Sequence, residues 1–146
     1  MPRLTIDFTA EDIRLPVLIG PDRSVIAAAI AGGGQVPKAL RATALLDTGT
    51  NITAISADLI ARLGLVKVDD GETQTASGVA TVDLFSISLG FPAEKGLTAP
   101  AVLVSELKVM ALSVEIEGVD VLFGLDALLN CTMLFDGPQL TLLIDF

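Results

Sequence analysis

Histidine is absent from this chain of 146 residues, and cysteine occurs once, at Cys131. The first absence removes Ser-His-Asp and Cys-His catalysis and most zinc enzymes. The second excludes an intramolecular disulfide and any cysteine-rich metal site. Acid–base chemistry therefore falls to carboxylates, lysine or water, and neither a metal nor an organic cofactor is implied. Cys131, set before an apolar run, reads as a small buried hydrophobe. Basic residues are also scarce: nine Lys and Arg stand against eighteen Asp and Glu, a net charge of -9. The nine are scattered, which argues against a nucleic-acid partner, since neutralising phosphates needs clustered cations. No apolar run is long enough to span a bilayer, and the longest, such as Val25 to Ala31 and Leu140 to Phe146, are strand-sized. The first residues, Met1 to Phe8, lack the apolar stretch of a signal peptide and carry an acid early. A cytoplasmic protein with no membrane partner is the expectation.

What the chain does contain is a succession of β-branched and leucine-rich runs separated by Gly, Pro, Asp and Asn, the pattern of an all-β domain over 1–146. The expected strands are Leu4–Phe8, Arg14–Ile19, Val25–Ala31, Leu40–Leu46, Glu72–Ala76, Val79–Leu89, Ala101–Val104, Val119–Phe123, Thr132–Phe135 and Gln139–Ile144. Gly32-Gly33-Gly34 reads as a hairpin loop. It is a poor phosphate loop, because no Gly-Lys-Ser/Thr follows. One helix is well signalled: Ser56 caps it, Asp58 lies in its first turn, Leu59, Ile60 and Leu63 form a stripe, and Gly64 supplies the terminating position. A second short helix is expected from Asp126, with that carboxylate as its N-cap.

The informative stretch is Ala44-Leu45-Leu46-Asp47-Thr48-Gly49-Thr50-Asn51. An apolar strand runs into an acid, a hydroxyl, a glycine and a second hydroxyl. The strand would deliver Asp47 from the interior to a surface cleft. Gly49 removes a side chain where another backbone must come close, and the threonine hydroxyls can bond carboxylate or backbone across the gap. Taken alone, Asp-Thr-Gly is also an ordinary turn; the flanking apolar and hydroxyl residues distinguish this copy.

The segment resembles the active-site signature of aspartic proteases. Downstream, Leu122-Phe123-Gly124 resembles the family's apolar-apolar-Gly motif, whose strand crosses beside the catalytic loop to complete a psi-shaped motif. The resemblance covers roughly Leu40 to the C-terminus and implies a closed acid-protease β-barrel, a single lobe with one or two short helices. Only one Asp-Thr-Gly is present, whereas pepsin-like enzymes carry two in one longer chain. The chain is thus similar to retropepsin-like members, which implies a homodimeric aspartic endopeptidase with Asp47 as the catalytic carboxylate and a polypeptide as substrate. By the same resemblance, Thr48 reaches to the partner loop, Thr50 bonds the catalytic carboxylate, Gly49 completes the loop, and the pH optimum is acidic. The alternative is a module of the same fold that dimerises or binds peptide without turnover, or an unrelated β-barrel with Asp47 in a plain turn.

An enzyme of this kind needs a lid. The polar strand from Glu72, the small tip Ala76-Ser77-Gly78 and the alternating strand from Val79 are the candidate flap, although the same pattern fits an ordinary exposed hairpin. Where retroviral members often carry Arg-Asn or Arg-Asp after the glycine, Leu125-Asp126 stands here. Val25, Ile52, Val82 and Phe123 are candidate pocket walls. The two apolar ends resemble termini that interleave between subunits in retroviral enzymes, but Met133 to Leu140 reads as an additional hairpin.

Overall fold

The computed structural model describes residues 1–146. In chain order its elements are β1 (Arg3–Asp7), β2 (Arg14–Pro21), α1 (Arg23–Ala31), β3 (Leu40–Leu46), β4 (Ala54–Ile55), α2 (Ala57–Arg62) and β5 (Asp69–Thr75). There follow β6 (Gly78–Phe91), β7 (Ala101–Ala111), β8 (Val121–Phe123), α3 (Leu125–Leu128), β9 (Thr132–Asp136) and β10 (Thr141–Asp145). No helix is long and apolar enough to cross a membrane.

Two sheets share one core. In the larger, the order is β2-β3-β8-β4-β7-β6-β5, and a further pairing of β2 with β6 closes the first six strands into a barrel with β5 outside it. Side chains alternate as half-buried strands require: Leu15, Val17 and Ile19 of β2 and Ala42 and Ala44 of β3 point inward. Opposite Ile87 stands Leu107, and opposite Leu89 stands Val104, so β7 spends one extra residue there. Such a bulge bends the strand and helps the sheet to curl shut.

The smaller sheet has the order β1-β10-β9, all antiparallel. Leu4 and Ile6 of β1 lie opposite Ile144 and Leu142 of β10, and all four are buried. These side chains join the barrel residues in one core cluster that also contains Leu59, Phe91 and Phe123. Phe91 lies between the two layers, with its ring 6.3 Å from that of Phe123 and 5.0 Å from that of Phe146. The terminal strands thus pair within one chain.

Two expectations are corrected at the β2–β3 connection. Val25–Ala31 is helical, and Gly32 ends that helix where a hairpin loop was expected. Asp22 Oδ1 accepts from the Val25 N–H at 2.9 Å as the N-cap. The alanines at 27–29 and 31 favour helix, which outweighs the β preference of Val25, Ile26 and Ile30. Gly33, at φ +69, takes the left-handed conformation just past the end. None of the residues of α1 is fully buried, and the register of β2 on β3 places this excursion at the barrel end away from Leu46.

The remaining differences are of length. β7 extends to Ala111, its exposed polar pair Ser105-Glu106 falling in the bulge between Val104 and Leu107 and not at a strand end. β5 begins earlier, at Asp69, and β4, a strand of two residues, was not among those expected. Helix α2 forms as its caps dictate: Ser56 Oγ accepts from the Leu59 N–H at 3.3 Å, Leu59 is buried, and Gly64 follows at φ +62.

Candidate active site

Asp47 sits one residue beyond β3, half-buried at the end of an apolar strand. Parallel pairing places Ala44, Leu45 and Leu46 beside Val121, Leu122 and Phe123 of β8, and β8 then pairs antiparallel with β4 on its other side. The chain between β3 and β4 therefore loops around the end of β8. The Phe123 carbonyl accepts the Asp47 N–H at 3.1 Å, and the Leu125 N–H donates to the Thr50 carbonyl at 2.8 Å. Residues 123 and 125 thus hold the two ends of the tetrapeptide Asp47-Thr48-Gly49-Thr50.

Between them, Gly124 approaches the loop backbone. A Cβ at 124 would lie 2.8 Å from the Thr50 carbonyl oxygen and 3.1 Å from the Thr53 nitrogen. The glycine of the apolar-apolar-Gly motif is thus a steric requirement. Leu122 is half-buried and Phe123 is fully buried.

Within the loop, both Asp47 oxygens are engaged. Oδ1 accepts from the Gly49 N–H at 2.9 Å, and Oδ2 accepts from the Thr50 hydroxyl at 2.7 Å. The carboxylate is fixed in orientation by its own loop, yet remains partly open to solvent. Thr48 and Gly49 are exposed at the surface of the molecule.

The residues Ala76, Ser77 and Gly78 form the tip of a hairpin in which Thr75 pairs with Gly78. Gly78 has φ +119, and its carbonyl accepts from the Thr75 hydroxyl at 2.8 Å. The Thr73 hydroxyl lies at 3.4 Å from Asn51 Oδ1, so β5 reaches the segment that follows the Asp47–Thr50 loop. Thr73, Ala80 and Val82 are half-buried, as are Gly71 and Gly78, whereas Glu72, Gln74 and Val79 are exposed. Ion pairs pin the base: Lys67 meets Asp70 at 2.6 Å and Asp83 at 3.1 Å, and Lys108 meets Asp69 at 2.6 Å. The Lys108 hydrogen bond holds the Asp69 carboxyl below the usual carboxylate range, and Asp70 with Asp83 pushes the Lys67 ammonium up.

Two candidate wall residues lie elsewhere. Val25 is on α1, and Phe123 points into the core beside Phe91. A cavity of about 660 Å³ lined by Ser56, Asp58, Glu117 and Asp120, among others, does not include Asp47.

The expected role of Asp126 is also corrected. The N-cap position of α3 is Gly124, and Asp126 is in the first turn. Its Oδ1 accepts from the Thr53 hydroxyl at 2.6 Å and from the Ala127 N–H at 2.8 Å, and the Thr53 N–H reaches both carboxylate oxygens at 3.0 Å. Thr53 is the one fully buried polar residue of the chain. It carries no motif of its own, and only the hydroxyl in the apolar setting Ile52-Thr53-Ala54 could have marked it.

A family model described as aspartyl protease matches residues 26–127. No curated protein sequence matches the chain. Among solved structures, a retropepsin-like aspartic protease from Rickettsia conorii superposes with a TM-score of 0.58 at 12% identity, over 99% of this chain and 91% of that one. An aspartic proteinase from Irpex lacteus gives a TM-score of 0.58 at 14% identity, over 99% of this chain and 47% of that one. The chain thus spans about half the length of the Irpex lacteus protein.

Proposed function

Since the chain belongs to the aspartyl protease family, we propose that it is an endopeptidase in which two identical copies each contribute Asp47 to one active site. The observation that carries this reading is the Asp47 carboxylate, oriented by Gly49 and Thr50 and half-exposed, in a loop that holds one acid only. One carboxyl group cannot serve as general base and general acid in the same step. A two-fold axis passing between two copies of the loop supplies the second.

Like charges in contact cannot both ionise, so the pair shares one proton. The ionised carboxylate takes a proton from a water held between them, while the protonated one donates to the peptide carbonyl oxygen. Water attacks the carbonyl carbon, and the result is a tetrahedral diol with no covalent enzyme intermediate. Proton return to the amide nitrogen breaks the C–N bond. Cleavage is fastest on the acid side of neutrality. The substrate lies extended beneath the hairpin 69–91 and bonds main chain to main chain.

The test combines size and turnover. Sedimentation at micromolar concentration should report a dimer, and an apolar peptide should be cleaved by the wild type but not by Asp47→Asn. Mixing equal amounts of the two proteins should leave about one quarter of the activity, as expected when heterodimers are inactive. A value of one half would mean that each chain works alone. A dimer that binds the peptide and never cleaves it would favour the non-catalytic module instead.

A further inference from the structure

The family signature accounts for Asp47 through Thr50 and for Gly124, but the densest polar cluster in the interior lies just behind them. Thr53 is 0% exposed. Its hydroxyl donates to Asp126 Oδ1 at 2.6 Å and accepts from the Gly124 N–H at 3.0 Å. The Thr53 N–H also points at the Asp126 carboxylate, and the Thr53 carbonyl accepts from the Met110 N–H at 3.0 Å. Every polar atom of Thr53 is therefore used. Three donor groups, the Thr53 N–H, the Thr53 hydroxyl and the Ala127 N–H, converge on the Asp126 side-chain oxygens, which accept from all of them.

The cluster stands at the crossing of the two chain segments that build the catalytic loop. Gly124 is the middle residue of the triplet whose outer members, Phe123 and Leu125, bond the backbone of Asp47 and Thr50. The Thr53 hydroxyl fixes the height of Gly124, and Asp126 fixes the Thr53 hydroxyl. We propose that Asp126 is a positioning residue for the catalytic carboxylate, acting through the Thr53 hydroxyl on Gly124. It touches neither substrate nor Asp47, and the inference rests on the reading of Asp47 as the reacting acid.

Asp126→Asn tests the geometry with minimal change in shape. An asparagine can still accept the Thr53 hydroxyl proton, but its amide N–H₂ then opposes the Thr53 N–H, donor against donor. The expected result is a fall in kcat of tenfold to a hundredfold with KM within about twofold. Thr53→Val, which keeps shape and removes the hydroxyl, should reproduce that fall, and Thr53→Ser should restore most of it. Because Asp126 and Thr53 act in series, the double variant should lose little more than either single one. Native-state hydrogen exchange of the Asp47, Gly124 and Leu125 amides reads the same link without turnover, and exchange in Asp126→Asn should be faster at all three. If Asp126→Asn does not fold, the Thr53 variants decide. Unchanged kcat together with unchanged exchange at these amides overturns the proposal, as does a drop in Tm with kcat intact. If the wild type cleaves no peptide, the proposed activity fails while the exchange data still decide the role of Asp126.

Discussion

The Thr50 hydroxyl donates to Asp47 Oδ2 at 2.7 Å, closing a ring between the first and last residues of the tetrapeptide Asp47-Thr48-Gly49-Thr50. A hydrogen bond to a charged group contributes about 1.5–3 kcal/mol. Part of that is present with and without substrate, so only the orienting share bears on rate. Thr50→Ala should lower kcat by about tenfold, Thr50→Ser should retain most activity, and steady-state kinetics on one peptide measures both.

Gly124→Ala should be costly to stability. Its Cβ would sit 2.8 Å from the Thr50 carbonyl oxygen, and neither backbone can yield without breaking the bonds at Asp47 and Leu125. A loss of about 2–3 kcal/mol is expected, in the range of overpacked sites. Gly34→Ala is the control. There the nearest atom is the Ala29 carbonyl oxygen at 3.8 Å, and the change should stay within about 0.5 kcal/mol. Urea midpoints compare the two.

At the hairpin tip the constraint is conformational. Nothing lies within 4 Å of a Cβ at Gly78, yet its φ of +119 is one that L side chains rarely adopt. Gly78→Ala should therefore remodel the turn and break the Thr75–Gly78 bond, at a local cost of about 1–3 kcal/mol. If the hairpin closes over substrate, KM should rise several-fold while the barrel amides keep their exchange protection. An unchanged KM would remove the tip from substrate binding.

Arg3 grips Asp145 through two hydrogen bonds, at 2.7 and 2.8 Å, across the β1–β10 pair. This hydrogen bond, with the charge of Arg3 behind it, holds the Asp145 carboxyl below its ordinary value. The folded state thus binds that proton less tightly than the unfolded chain. The contribution is complete above the unfolded value of about 3.9 and is lost as pH falls through the lower folded one. The Tm gap between wild type and Arg3→Ala should therefore be constant at mildly acidic and neutral pH and close at strongly acidic pH, as read by calorimetry. The terminal clamp stays intact at the acidic working pH proposed for the enzyme.

What could be read from the sequence was whatever rested on local chemistry. Asp47 at the end of an apolar strand, the Ser56 cap and the Gly64 stop of α2, and the tip at Ala76 to Gly78 all depend on residues a few positions apart. Helix α1 was legible too, since Asp22, the alanines and Gly32 spell a cap, a body and an end, but the β-branched Val25, Ile26 and Ile30 suggested a strand. Strand β4 has two residues, too few for any period to show. Phe123 reads as a pocket wall only while the inward sense of β8 is unknown; Val121 and Phe123 face one way, into the core. The Asp126–Thr53 pairing spans 73 positions, and no periodicity announces a side chain that leaves its own helix to reach another segment.

The pairing of β1 with β10 has a practical consequence for the connectivity of the molecule. The Phe146 N–H donates to the Pro2 carbonyl at 3.2 Å, so the segment leading into β1 meets the segment leaving β10. A short linker could join them, and new ends could be opened in the exposed stretch from Gly34 to Lys38. Such a circular permutant would retain every strand pair and the whole loop around Asp47. It would also leave α1 as a terminal segment that can be trimmed or replaced without cutting the barrel.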